Sequence, residues 1–134
     1  MSLRPFGFVA MLAVSGSPAF AAGCHVDPFS TVFGADTDAH MTVKSGQRCG
    51  ITMRTGGRGM SRNIGGTTGT TLDQQAQHGT VTIPEPHRIE YVSQRGYTGS
   101  DQFVFERTGE TMSQKTGHTN SGTSHYTVHV DVVP

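Results

Sequence analysis

Residues Arg95–Arg107 read RGYTGSDQFVFER. Gly96 and Gly99 bracket Tyr97 and Thr98, and glycine takes the positive φ that a tight approach to a strand requires. Phe103 and Phe105 then fall on alternate positions, the period of a half-buried strand. Tyr97 can bury its ring and keep its hydroxyl bonded near the surface. Asp101 can accept backbone N–H bonds from the turn. The stretch therefore predicts a corner leading into a core strand.

The same two-residue period recurs on both sides of it. HMTVKS (40–45) places Met41 and Val43 on one side, and CGITMRT (49–55) does so with Cys49, Ile51 and Met53. TVTI (80–83) offers Val81 and Ile83, and HRIEYVS (87–93) offers His87, Ile89 and Tyr91. SHYTVHVDVV (124–133) alternates Tyr126, Val128, Val130 and Val132 with His125, Thr127, His129 and Asp131. Thr70 to Gln75 reads as a weak strand, although LDQQAQ (72–77) reads equally as a helical turn. Ser45-Gly46 and Pro84-Glu85-Pro86 supply turns between strands. Residues 56–69 and 106–124, rich in Gly, Thr and polar side chains, read as long loops. About seven short strands joined by turns predict an all-β antiparallel sandwich.

The order of these signals resembles that of bacterial Ig-like and cadherin-like domains of secreted and cell-envelope proteins. The residues that carry the resemblance are His78, Gly79, Thr80 and Val81, then Tyr91, then Gly96, Tyr97, Thr98, Gly99, Asp101 and Phe103, and finally the alternating valines up to Val132. It implies one Ig-like β-sandwich domain over residues 22–134, with an irregular N-terminal segment at 22–40. It also implies a role in adhesion, spacing or display rather than catalysis.

The first residues concern compartment. Arg4, the apolar run Phe6 to Val14 and the A-x-A site Ala19-Phe20-Ala21 form the pattern of a secretory signal peptide over residues 1–21. The run is shorter than the roughly 20 apolar residues of a bilayer span, and no later segment is long and apolar enough to cross after cleavage. Periplasmic or secreted localisation is the expectation. Cys24 and Cys49 are the two cysteines, and export makes a bridge between them chemically available. Such a loop stabilises by ~3–4 kcal/mol in the chain-entropy model, which suits a lean core. AAGC (21–24) also resembles a lipoprotein box, in which Cys24 would be lipidated instead.

Ten basic and ten acidic side chains cancel, so overall charge gives no argument for nucleic acid. Arg54, Arg58 and Arg62 nevertheless sit among glycines in a segment without carboxylates. Guanidinium forks match phosphate, sulfate and carboxylate, which makes this loop the candidate for an anionic envelope surface or an acidic partner. The seven histidines raise copper or zinc, with His125, His129 and His87 as candidate ligands from adjacent strands. His125 and His129 lie roughly 13 Å apart along one strand face at 3.3 Å per residue, too far to share one ion. Met41 and Met53 fall on apolar faces and read as core. Asp36 and Asp38 alone are too few for calcium, which takes six to eight oxygens.

No G-x-S-x-G, P-loop or dinucleotide fingerprint occurs. Cys49 could be drawn as a thiol nucleophile only if it were unpaired. The expected function is that of a non-catalytic exported module, without cofactor, that binds a protein or envelope-surface partner. The alternative is a periplasmic copper- or zinc-binding protein.

Overall fold

The computed structural model describes residues 23–53 and 63–134. Those residues form eight strands and no helix: β1 (Cys24–Val26), β2 (Thr37–Lys44), β3 (Arg48–Thr52), β4 (Asn63–Gln74), β5 (Gly79–Glu85), β6 (Arg88–Ser93), β7 (Gly99–Ser113) and β8 (Thr119–Val133). They make a five-stranded sheet, β1-β2-β8-β7-β4, and a three-stranded sheet, β3-β6-β5. Neighbours run antiparallel except β2 and β8, which run parallel.

The alternating residues explain the two layers. Ala39, Met41 and Val43 of β2, Phe103 and Phe105 of β7, and Tyr126, Val128, Val130 and Val132 of β8 point inward from the larger sheet. Cys49, Ile51, Val81, Ile89 and Tyr91 face them from the smaller one. An aromatic column crosses this core: Tyr91 and Phe103 lie 5.9 Å apart between ring centroids, and Phe105 and Tyr126 lie 4.7 Å apart. Offset ring pairs of this kind add ~0.5–1.5 kcal/mol beyond their buried area. Met41 and Met53 are buried in the core.

The disulfide Cys24–Cys49 ties β1 to β3, and so one sheet to the other, with Cα atoms 5.1 Å apart. Cys49 therefore offers no thiol for nucleophilic chemistry. The sulfur of Cys24 is likewise engaged, which excludes its lipidation in this state. The Ser45-Gly46 turn joins β2 to β3, with Gly46 at φ 74°. Pro84 lies in β5, an edge strand, where the ladder slips between Thr82 and Glu85. A proline lacking an N–H fits such a position.

Three expectations change. Residues 106–124 are not one loop: β7 runs on to Ser113, turns, and returns as β8 from Thr119. The loop expected over 56–69 does not reach residue 69: β4 covers Asn63–Gln74, which bears out the strand reading of Thr70 to Gln75. Residues 22–40 already contain β1 and the start of β2. Among the described residues the sandwich thus has eight strands, two of them fifteen residues long.

The long strands outrun the smaller sheet, and the segment between β1 and β2 covers their inner face. Phe29 packs edge-on against Tyr126 at 5.9 Å. Phe33 sits over Gly109, where any Cβ would meet its ring at 2.4 Å. The buried Ser124 hydroxyl accepts the Gly34 and Ala35 amides and donates to the Val32 carbonyl. Arg107 is only 1% exposed beneath this cover. Its guanidinium stands 4.1 Å over the Phe33 ring and donates to Thr67 Oγ1, the Thr31 carbonyl and the Tyr126 hydroxyl. A charge is tolerable there because neutral oxygens and a π-face replace the water it loses.

Candidate functional site

Polar side chains gather in two places with opposite character. The first is the corner that opened the sequence reading. Asp101, the third residue of β7, is buried. Its carboxylate accepts the Gln77 and His78 amides, both at 3.0 Å, and the Tyr91 hydroxyl at 2.9 Å. It also accepts the Gln102 amide. One side chain of the larger sheet thereby holds the entry to β5 and the middle of β6. Burial raises the Tyr91 phenol well above its usual pKa, and the carboxylate beside it raises it further.

The rest of the motif supports this clamp. Gly79 admits the Tyr91 ring, since a Cβ there would lie 2.6 Å from both that ring and the Val92 carbonyl. Tyr97 stacks on His78 with centroids 4.0 Å apart and donates to the Ser100 carbonyl at 2.5 Å. Gly96 and Gly99 both have positive φ, 86° and 132°. Phe103 is fully buried. An open groove of about 460 Å³ adjoins the corner, lined in part by His78, Gln102, His129 and Asp131.

The second place is the outer face of the five-stranded sheet. Residues that alternate with the core project there: His40 from β2, Glu106 from β7, His125 and His129 from β8, and Asp73 from β4. His125 Nδ1 lies 3.0 Å from Asp73 Oδ2 and 4.0 Å from Glu106 Oε2. Three potential ligand atoms from three strands thus fall within 4.8 Å of one another. The His125 amide donates to Asp36 Oδ1 at 3.0 Å. The hydrogen bond to Asp73 raises the His125 pKa, desolvation opposes this, and the charges of Asp36, Asp73 and Glu106 add to the rise. Further along β8, His129 Nε2 lies 3.0 Å from Asp38 Oδ1, and its ring stacks on His40 at 5.1 Å.

The candidate ligands His87, His125 and His129 do not meet one another. His125 and His129 belong to separate clusters on the same strand. His87 sits in the β5–β6 turn of the other sheet, where Nε2 lies 2.9 Å from Glu85 Oε2. Asp36 and Asp38 also part company, one anchoring the His125 amide and the other facing the His129 ring. Arg54, Arg58 and Arg62 lie outside the described residues, as do residues 1–21, where the sequence predicts a signal peptide. No helix among the described residues is long and apolar enough to cross a membrane.

Asp73 and Glu106 are the members that sequence reading missed. Glu106 had a signal, since it follows Phe105 on an alternating strand and must face outward. Asp73 had none, because the strand assignment of its segment was open.

Comparison with family models and with curated proteins finds no match to this chain.

Proposed function

We propose that the chain is an exported, non-catalytic Ig-like module that associates with a partner or surface at the bacterial cell envelope. The strand order carries this reading. β3-β6-β5 and β4-β7-β8 are neighbours in the order B-E-D and C-F-G of the immunoglobulin sandwich. β1 and β2 depart from the constant-type arrangement by joining the C-F-G sheet. The disulfide departs too, linking β1 to β3 rather than strands B and F. The residues of the resembling motif serve the scaffold at Asp101, Tyr91 and Gly79, which favours a display role over chemistry at that corner. A formed disulfide is in keeping with the signal sequence and an oxidising compartment.

On this reading, the residues between β3 and β4 include Arg54, Arg58 and Arg62, whose guanidinium groups suit anionic partners. The test is retention of the mature protein on an isolated envelope fraction. Retention that is lost when all three arginines become alanine supports both the module and its basic loop. Unchanged retention removes the loop, and no retention of the parent removes envelope association.

A further inference from the structure

Asp73 and His125 lie on strands separated by β7, about 10 Å apart at the usual strand spacing. Their side chains nevertheless meet, and Glu106 of the intervening strand flanks them. Two features of the ladder bring this about. Glu106 is the direct cross-strand partner of His125. Asp73 is the extra residue of a bulge, since Leu72 pairs with Phe105 and Gln74 with Val104. Bulges re-aim a side chain and are over-represented beside functional sites. The Asp36 carboxylate fixes the His125 backbone from a fourth segment.

We propose that His125, Asp73 and Glu106 form a binding site for a single divalent transition ion of the zinc class. Zinc accepts imidazole nitrogen at ~2.0–2.1 Å and carboxylate oxygen at ~2.0–2.2 Å, and it tolerates three protein ligands with an open fourth position. Tetrahedral ligands at that range stand roughly 3.3 Å from one another. The present separations begin at 3.0 Å and stay within 4.8 Å. The side chains of His125, Asp73 and Glu106 are 47%, 36% and 35% exposed, so rotamer adjustment closes the remainder without moving a strand. Calcium is a poor occupant, because the site offers an imidazole and too few oxygens. This inference requires only the sheet, so its failure would leave envelope retention untouched.

The experiment is titration of the mature protein with Zn²⁺ against a chromophoric chelator, with histidine NMR in parallel. One equivalent should bind, and the His125 imidazole should shift. His125→Ala should weaken binding at least tenfold, while His129→Ala, on the same strand outside the cluster, should change it less than twofold. Asp73→Asn and Glu106→Gln should each weaken binding, and millimolar Ca²⁺ should not displace the zinc. Thermal unfolding of each variant should match the parent, because all the substituted side chains reach solvent. Absence of stoichiometric binding, or equal losses in His125→Ala and His129→Ala, would overturn the site. Displacement by Ca²⁺ would overturn the class of ion.

Discussion

Asp101 and Asp73 both sit on the larger sheet, and both gather polar groups around a carboxylate. Asp101 is buried and meets two backbone amides and a phenol from the other sheet. Asp73 is exposed and meets one imidazole across a neighbouring strand. The difference teaches what burial does to the same functional group. A buried acceptor that answers several donors is part of the architecture, because every donor it loses is left without water. An exposed acceptor is dispensable to folding and is therefore available to a ligand.

The contrast breaks most visibly at Asp101. Asp101→Ala orphans the buried Tyr91 hydroxyl and takes the acceptor from the part-buried Gln77, His78 and Gln102 amides, which should cost on the order of 4 kcal/mol. Urea unfolding would read this as a lower midpoint with an unchanged slope, and a loss under 1 kcal/mol would deny the clamp its role. Next comes Gly79→Ala, which drives a methyl group into the Tyr91 ring and should destabilise by ~1–3 kcal/mol. Tyr91→Phe removes one hydrogen bond and leaves Asp101 its amide donors, so about 1 kcal/mol is expected. If Tyr91→Phe proved as damaging as Asp101→Ala, the phenol rather than the amides would be the centre of the corner.

The exposed cluster should respond to pH rather than to denaturant. In the metal-free protein the His125 pKa is raised by Asp73 and its neighbours. Its contribution to stability is therefore complete below the ordinary histidine pKa of about 6.5 and fades as pH rises through the raised value. The effect on unfolding should be small, because the group is solvated. NMR titration of His125 should show the raised pKa, and Asp73→Asn should bring it down. A titration curve indifferent to Asp73→Asn would mean the two side chains do not meet in solution.

These two regions were unequally legible in the sequence. The core strands were readable because Phe103, Phe105 and the valines of β8 obey a strict alternation against the opposite sheet. The alternation stops being apolar at Arg107 and Gly109, although the ladder continues to Ser113. There the inner face meets the segment around Phe33, which Ser124 of β8 holds in place, instead of a sheet, so an arginine and a glycine fill core positions. Polarity was mistaken for a loop because the covering element is itself irregular. The His125 cluster was hidden for another reason. Its partner Asp73 is 52 residues away, on a strand whose register slips at that residue.

The parallel pairing of β2 with β8 has a consequence in time. β8 lies between β2 and β7, and its residues meet partners as far as 92 positions earlier. Contacts so distant must be formed against a large loop-closure entropy, which slows folding. Until Thr119–Val133 is in place, β2 has no neighbour on that side and the core lacks Tyr126, Val128, Val130 and Val132. β8 is the strand that joins β2 to β7, so a chain interrupted before it would present open edges to other chains rather than a smaller version of the same fold.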